Sequence, residues 1–266
     1  DLTDLLSVIQ AEDLQTVMIQ FNYGFFNFAH LARLIEILKD DGRQVVLTLH
    51  ATDDSHHPPE RQLASIRQAL SRCDRILVHK VLDANRMKAL GLVENVTLFP
   101  HGVLPMVETS SVSRKRPKTK PFVIGSYGFF LPNKGLPELV DAVSHLRADG
   151  RNVRLRMINA EYPVVESRNL IQDVKDQIVR LGLGDAIEMN TGFLSDKVAL
   201  SKLTDCDLIV FGYQRSSESA SGAVRYGLSS GRPVAVTPLE IFSDVADYCI
   251  QLPGISPAEI AQGIAV

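Results

Sequence analysis

Short apolar runs alternate with amphipathic stretches along the first part of the chain. The runs are β-branched or continuously apolar, as strands covered on both faces tend to be. Residues 28–42, FAHLARLIEILKDDG, have instead the apolar spacing of a helix. This alternation predicts an α/β fold with a mostly parallel sheet. Its strands are expected at residues 16–21, 44–50, 75–80 and 95–100.

The same alternation restarts after a polar, basic and proline-bearing stretch, residues 107–121. Such a composition is typical of a linker, and its RKRPK run is interpreted as a solvated hinge rather than as a site for acidic lipid or phosphate. We therefore expect an N-terminal domain over residues 1–108, a linker over 109–120 and a C-terminal domain over 121–266. The second domain is predicted to contain strands near residues 122–130, 153–160, 186–193, 207–213 and 233–238, with helices near 136–147 and 171–181.

Composition and charge narrow the function classes. The chain has 266 residues, 45% of them hydrophobic, and a formal net charge of −3, so its charge does not favour nucleic acid as a partner. Its cysteines are far apart and lack metal-ligand spacing, which suits a reducing compartment; they are Cys73, Cys206 and Cys249. No apolar run has the length of a membrane span, and the chain does not open with a secretory signal pattern. We expect a cytoplasmic protein, with peripheral contact at the inner membrane face left open.

The stretch SSESASGAVRYGLSSGRPVAV, residues 216–236, places an acidic residue among small ones ahead of a helical segment and an apolar strand. A turn over residues 216–222 would expose backbone N–H groups at a helix N-terminus, which suit phosphate or sugar hydroxyls. Glu218 would accept hydrogen bonds from hydroxyls rather than attract phosphate. The alternative is an ordinary helix capped by serine, with Glu218 exposed on the preceding loop. Taken alone, the stretch favours the capped helix.

Histidines gather after the second predicted strand, which ends at His50. The loop HATDDSHH adds further possible metal ligands within eight residues, namely Asp53, Asp54, His56 and His57. A loop so short rarely aims all of them at one ion, and no H-E-x-x-H spacing supports a metal site. Elsewhere, His101 is interpreted as part of a structural turn, and His79 and His145 as packing or surface residues.

Seven segments spread over the chain carry a family resemblance. In the second half they are IGSYGFFLPNKGLPELVDAV, TGFLSDKVALSKLTDCDLIVF and DLIVFGYQRSSESASGAVRYGLSSGRPVAVT. In the first half they are VMIQFNYGFFNFAHLARLIEIL, VVLTLHATDD, DRILVHK and NVTLFPHGV. These segments resemble retaining glycosyltransferases with the GT-B fold, of the large family numbered four. The resemblance covers nearly the whole chain and implies two Rossmann-like domains with mostly parallel sheets facing a cleft. The opening strand and Gly-rich loop of that family do not occur in the sequence, so we expect an incomplete N-terminal domain.

The resemblance also implies a function. The family members move a sugar from a nucleotide-diphosphate sugar to a glycan or lipid-linked acceptor with retention of configuration, without a cofactor and without an obligatory metal ion. With the segments around it considered, the transferase interpretation of His50 is favoured over a metal site. The alternative left open is a catalytically degenerate nucleotide-sugar or glycan-binding scaffold within a longer chain. Two departures point to this alternative: Phe129 stands where the family has an arginine, and Tyr226 stands where it has the second of two glutamates.

The resemblance assigns roles to individual residues of this sequence. His50 and Glu218 are the implied catalytic residues, both directed to the donor sugar. Lys134 is implied to bind the donor diphosphate. Further donor contacts are expected from Gly128, Gly192, Ser219, Ala220, Ser221, Gly222, Arg225 and Tyr226, where Arg225 either supplies charge to the diphosphate or faces solvent. Acceptor contacts are expected from Asn22, Tyr23 and Gly24.

Overall fold

The structure, a computed structural model, describes residues 2–105 and 120–265. Over these residues the chain divides into two compact units. The first unit consists of Asp1–His101 together with Ser217–Ala220, and the second unit consists of Gly102–Ser216 together with Ser221–Val266. The predicted linker, residues 109–120, lies outside the described residues except for Lys120. The predicted domain limits therefore stay a prediction.

The first unit is built on a parallel sheet. Its register sets Phe21 opposite Leu49 and Leu49 opposite Val78, so the carboxyl ends of these strands meet at one edge of the sheet. Within the described residues the strands are hydrogen-bonded in chain order and are β1 (Thr16–Phe21), β2 (Gln44–Leu49), β3 (Arg75–Val78) and β4 (Val96–Leu98). The helices of this unit are α1 (Leu2–Ala11), α2 (Phe28–Asp40), α3 (Arg67–Arg72) and α4 (Val81–Ala89), with short 3-10 helices at Pro59–Arg61 and Leu63–Ile66.

The second unit is built on a larger parallel sheet. Its described strands are hydrogen-bonded in the order β10-β9-β8-β5-β6-β7. These strands are β5 (Phe122–Phe130), β6 (Val153–Glu161), β7 (Ile187–Asn190), β8 (Leu208–Phe211), β9 (Val234–Val236) and β10 (Ile250–Gln251). The helices are α5 (Leu136–Ala148), α6 (Val165–Arg180), α7 (Asp196–Thr204), α8 (Gly222–Ser229) and α9 (Pro257–Ile264), with a 3-10 helix at Glu240–Tyr248. The chain reverses its direction of travel across the sheet between β5 and β8, which makes their carboxyl ends a topological switch point.

Alternate side chains of β8 explain why this strand reads as a continuous apolar run. Leu208 and Val210 belong to one hydrophobic core, whereas Ile209 and Phe211 belong to another. Successive side chains of a strand point to opposite faces of its sheet. Both faces of β8 are therefore covered, and all four of its residues are buried.

The predicted strands all occur, and the α/β class with two Rossmann-like units and mostly parallel sheets is confirmed. Several strands end earlier than expected; β2, for example, stops at Leu49, one residue before His50. Helix α6 begins at Val165, whereas the sequence predicts a start near residue 171. The prediction misses the first turns because they are mostly polar and carry little apolar periodicity. Among the described residues no helix is long and apolar enough to cross a membrane.

Candidate functional site

Two loops of the second unit pack against each other at its topological switch point. Gly135, after β5, has φ of +72°, and a Cβ on it would lie 1.7 Å from the carbonyl oxygen of Gly212, after β8. Only glycine fits a backbone with both this φ and this close approach. Lys134, the preceding residue, holds its ammonium 4.1 Å from the centroid of the Tyr213 ring, within range of a cation–π interaction. A positive charge is therefore held between the carboxyl ends of β5 and β8.

Helix α8 begins beside the end of β5. Its N-cap is Ser221, whose side chain accepts a hydrogen bond from the backbone N–H of Val224 at 3.3 Å. This is the serine cap that one interpretation of the sequence predicts. Gly128, with φ of +130°, would place a Cβ 3.4 Å from the Cβ of Ala223 in the first turn of α8. The structure thus brings Gly128 together with the Ser221–Gly222 start of the helix.

Arg225 lies in a buried ion pair. Its side chain is 5% exposed and pairs through Nη2 with a carboxylate oxygen of Asp244, while Nη1 donates to the carbonyl of Ser221 at 2.8 Å. The solvent-facing alternative for Arg225 is therefore wrong. Its predicted contact with a diphosphate stays a prediction, and most of its charge is already compensated by Asp244.

Tyr226 occupies the position at which the family has a glutamate. Its ring stacks on Tyr127, with 4.6 Å between centroids, and its hydroxyl donates to Asp196 at 2.9 Å. Burial and this hydrogen bond raise the pKa of Tyr226. The Asp196 carboxylate therefore lies beside the Tyr226 hydroxyl, although sequence reasoning did not single out Asp196.

Gly192 lies in the loop after β7, where its N–H donates to the side chain of Asn190 at 3.2 Å.

The segment Ser217–Ala220 belongs to the first unit. The backbone N–H of Ser219 donates to the carbonyl of His50 at 2.9 Å, and its hydroxyl donates to Asp83 at 2.8 Å. Ser219 and Ala220 are buried, whereas Glu218 is exposed. The structure thus places Ser219 against His50, and the resemblance assigns both residues to the donor.

Asp83 is a buried carboxylate that sequence reasoning missed. It is 0% exposed and accepts hydrogen bonds from the hydroxyls of Thr52 at 2.6 Å and Ser219 at 2.8 Å, and from the backbone N–H of Lys80 at 3.0 Å. Its position in the first turn of α4, directly after a strand, is the signal that could have found it. Because a buried charge needs donors on every side, Asp83 fixes the parts of the chain that supply them.

Three histidines lie at the carboxyl edge of the first sheet. His50 Nδ1 and His79 Nε2 are 3.1 Å apart, and the ring of His101 stacks on that of His79 with 4.1 Å between centroids. Burial lowers the pKa of His50, the neighbouring His79 lowers it further, and the Glu218 carboxylate acts in the opposite direction. Within the described part of the chain, these three histidines are the group whose ligand atoms lie close enough together to hold a metal ion.

The loop after His50 does not gather its own ligands. Asp53 pairs with Arg86 at 3.0 Å, and Asp54 accepts from the backbone N–H of Leu63 at 2.7 Å. His57 stacks on Tyr23 with 4.5 Å between ring centroids. Asp53, Asp54 and His57 thus have different partners, and the expectation that this loop does not hold an ion stays a prediction.

The predicted acceptor residues have separate environments. The ring of Tyr23 is buried among aromatic side chains and packs on Phe28 with 5.8 Å between centroids. Asn22 is half-buried, and its side chain accepts from the N–H of Gly24 at 3.4 Å. Gly24 alone of the three lines a surface cavity of about 590 Å³ in the first unit, together with Phe25, Phe26, Asn27, Phe28, Ala29, Glu60 and Arg61.

Solved structures share this fold. HepE from Anabaena in complex with UDP and glucose is similar at 18% identity and a TM-score of 0.75, covering 98% of this chain and 70% of its own. A UDP-forming α,α-trehalose-phosphate synthase from Burkholderia xenovorans, in complex with glucose-6-phosphate, is similar at 13% identity and a TM-score of 0.74, covering 94% of this chain and 65% of its own. Sucrose-phosphate synthase from Thermosynechococcus elongatus is similar at 12% identity and a TM-score of 0.73, covering 98% of this chain and 66% of its own.

The chain thus spans about two thirds of the length of these proteins. Its sequence matches no protein-family profile and no curated protein sequence. The similarity at such low identity concerns the fold, and it confirms the resemblance found in the sequence at that level. The fold of this chain is that of the GT-B glycosyltransferases.

Proposed function

We propose that the protein transfers a sugar from a nucleotide-diphosphate sugar to a glycan or lipid-linked acceptor, with retention of configuration and without a metal ion at the leaving diphosphate. The observation that carries the proposal is the position of Lys134 at the switch point of the second unit of a GT-B fold. Open α/β sheets bind ligands outside the carboxyl ends of their strands at this point. HepE, which has this fold, is known in complex with UDP-glucose.

The second unit supplies the groups for the donor nucleotide. Lys134 brings a cation to the diphosphate, and the backbone N–H groups at the Ser221–Gly222 start of α8 bind its oxygens. Gly128, with φ of +130°, lets the end of β5 lie close to the first turn of that helix. Lys134 is held by the Tyr213 ring before a ligand arrives, so little reorganisation is needed when charge develops on the leaving group.

The nucleoside is assigned to the surface around Tyr226. A tyrosine cannot accept two ribose hydroxyls as a glutamate does, but the Tyr226 hydroxyl is hydrogen-bonded to the Asp196 carboxylate. We assign ribose recognition to this pair, and base recognition to the loop that contains Gly192.

Glu218 and His50 are the residues that we assign to the sugar. Glu218 is exposed, so its carboxylate can accept hydrogen bonds from sugar hydroxyls. His50 lies near Glu218, and its ring reaches a sugar hydroxyl only by turning away from Gln20 and His79. In a retaining transfer, the bond from the anomeric carbon to the diphosphate oxygen breaks, and the acceptor hydroxyl bonds to the same face of that carbon. The hydroxyl proton passes to the departing diphosphate. The protein positions the reactants and neutralises the leaving charge.

The acceptor is assigned to the loop after β1. Gly24 lines the surface cavity of about 590 Å³, and Arg61 places a cation at its wall. Because the Tyr23 ring is in the core, its part is to hold the loop, while Asn22 stabilises the turn through the N–H of Gly24.

A second candidate function is a binding scaffold that has lost catalysis. The observation that favours it concerns positive charge for the diphosphate. Arg225 is paired with Asp244. Phe129, which packs on Tyr162 with 5.1 Å between ring centroids, stands where the family has an arginine.

A turnover assay separates these functions. The full chain is incubated with a panel of nucleotide sugars and glycan or lipid-linked acceptors in the presence of a chelator, and the product is analysed by NMR. We expect nucleoside diphosphate release and a product with the anomeric configuration of the donor. Nucleotide binding without turnover would favour the scaffold, inversion would contradict the retaining mechanism, and absence of nucleotide binding would overturn both functions.

A further inference from the structure

Three neighbouring strands of the first unit each lead into a histidine at the same edge of the sheet. His50 follows β2 directly, His79 follows β3 directly, and His101 comes three residues after β4. Because β2 and β3 are parallel with Leu49 opposite Val78, His50 and His79 leave the sheet at matching positions. The potential ligand nitrogens of the three rings lie within 4.8 Å of one another.

The outer nitrogens of two of these rings face oxygen acceptors. His79 Nδ1 is 3.0 Å from the carbonyl oxygen of Phe99, which can only accept, so this nitrogen carries a hydrogen. His50 Nε2 is 2.7 Å from Oε1 of Gln20, which likewise accepts. With both outer nitrogens protonated, the inner nitrogens of the neutral rings, His50 Nδ1 and His79 Nε2, both present lone pairs. They face each other at 3.1 Å, an arrangement that a cation between them, either a metal ion or a proton, would stabilise.

We propose that His50, His79 and His101 form a binding site for a divalent transition metal ion such as Zn²⁺. Neutral imidazole is a preferred ligand of these ions. Two nitrogens bound to a tetrahedral Zn²⁺ at about 2.0–2.1 Å are about 3.3 Å apart, close to the 3.1 Å between the two inner nitrogens. His101, stacked on His79, supplies the third ligand by a rotation of its side chain.

The surroundings of the rings favour a metal over a shared proton. In metal sites the second ring N–H of a ligating histidine is donated to an oxygen acceptor such as a backbone carbonyl or a carboxylate, which fixes the tautomer and the ring orientation. The Phe99 carbonyl and the Gln20 side chain provide this for His79 and His50. Three protein ligands also leave one position of a tetrahedral ion open.

A bound ion would not serve the transfer proposed above. It would replace the contact of His50 Nδ1 with His79 by a bond to the ion, while Nε2 donates to Gln20, so the ring could no longer turn toward a sugar hydroxyl. The metal form is therefore expected to compete with the donor sugar for His50. This consequence depends on the proposed function, whereas the metal site itself does not.

A titration with Co²⁺ tests the site, because the visible absorption of Co²⁺ reports its ligand geometry. The full chain carries no polyhistidine tag and is first freed of metal with a chelator. We expect saturable binding of one ion per chain, displaced by Zn²⁺. Affinity should fall roughly tenfold or more in His79→Gln, His101→Gln and, through the lost acceptor, Gln20→Ala.

Matched variants show whether the effect belongs to this site. His145→Gln on α5 and His56→Gln in the loop after His50 are both exposed histidines and should bind Co²⁺ like the parent. Gln20 is exposed, so Gln20→Ala should keep its fold. This variant therefore still tests the site if His79→Gln, which replaces a buried residue, destabilises the protein. Absence of saturable binding, or binding unchanged in both His79→Gln and His101→Gln, would overturn the metal site. The histidine pair would then share a proton or face a turned Gln20 amide.

Discussion

Two carboxylates of the first unit occupy opposite environments. Asp83 is fully buried and accepts hydrogen bonds from Thr52, Lys80 and Ser219, whereas Glu218, adjacent to Ser219 in sequence, is exposed. A buried carboxylate whose two oxygens both accept hydrogen bonds stabilises the fold around it. An exposed one at the end of a held segment can meet a ligand. Of the two, Glu218 is therefore the residue to test for recognition of the sugar.

We expect Glu218→Gln to impair sugar transfer more than nucleotide binding. The substitution keeps the shape of the side chain but replaces a charged acceptor with a neutral one, and hydrogen bonds to charged groups are the stronger ones. The ratio kcat/KM should fall roughly tenfold or more, while the Kd for the free nucleoside diphosphate should change less than about twofold. Glu166→Gln, an exposed glutamate on α6, is the control. Equal losses for nucleotide and sugar nucleotide would mean that Glu218 only shapes the turn.

Single residues show the limit of what the sequence can predict. His50 is predicted to end a strand and lies directly after β2, and His79 is buried, as its interpretation as a packing residue predicts. The meeting of these two with His101 is not predicted. Each of the three follows an apolar run, in TLH, LVH and LFPH, and this repeated signal is visible in the sequence. Only the order and register of β2, β3 and β4 bring them together, and these depend on long-range pairing that no local pattern contains.

At the scale of elements, the contact between Gly135 and Gly212 positions the start of α5. The sequence predicted a helix opening after Lys134-Gly135, but not the loop against which it packs. A side chain at position 135 would meet both an unfavourable φ of +72° and the backbone of Gly212. Strain at Gly135 would therefore displace Lys134 as well.

Gly135→Ala should destabilise the protein strongly. We expect the free energy of unfolding to fall by roughly 3 kcal/mol or more, because backbone strain adds to a clash that no side-chain rotation relieves. Gly150→Ala is a matched control: its φ is +77°, but a Cβ there meets nothing within 4 Å. It should cost about 1–2 kcal/mol. Similar losses in the two variants, measured by chemical denaturation, would contradict the close approach of the two loops.

Asp74 connects three elements of the first unit. Lying just before β3, it accepts from Nζ of Lys39 on α2 and from the backbone N–H of Val45 on β2, both at 2.7 Å. The hydrogen bond from Lys39 is the main cause that lowers the pKa of Asp74. Because the folded-state pKa lies below the unfolded one, this stabilisation is complete above the unfolded pKa and is lost as the pH falls through the folded pKa.

We expect Asp74→Asn to reduce the free energy of unfolding near neutral pH by on the order of 1 kcal/mol, a value that allows for the solvent exposure of the carboxylate. Below about pH 4 the difference from the parent should shrink as the carboxylate is protonated. Asp40→Asn removes a more exposed ion pair, with Arg72, and should change stability by less than about 0.5 kcal/mol. A difference for Asp74→Asn that stays constant down to about pH 2 would contradict this account.

At the scale of the whole molecule, the alternation of apolar and amphipathic segments was enough to predict the class of fold and its parallel sheets. Strands such as β8 are buried on both faces and therefore read unambiguously. The sequence does not predict that Ser217–Ala220 belongs to the first unit, because this segment is far in sequence from the other residues of that unit, Asp1–His101. Ser219 is hydrogen-bonded to His50 and Asp83, and these bonds link residues that sequence patterns treat as unrelated.

The central claim is that the second unit binds the diphosphate of a nucleotide sugar through Lys134. Calorimetric titration of the full chain with UDP, GDP and ADP, in the parent, Lys134→Ala and Lys175→Ala, tests it most directly. Lys175 is an exposed lysine on α6 and controls for the loss of one positive charge. We predict that the preferred nucleotide binds the parent and Lys175→Ala equally and binds Lys134→Ala roughly tenfold or more weakly, since a charge-assisted contact contributes about 1.5–3 kcal/mol. Equal affinity of the parent and Lys134→Ala, or no binding of any of these nucleotides to the parent, would contradict the claim.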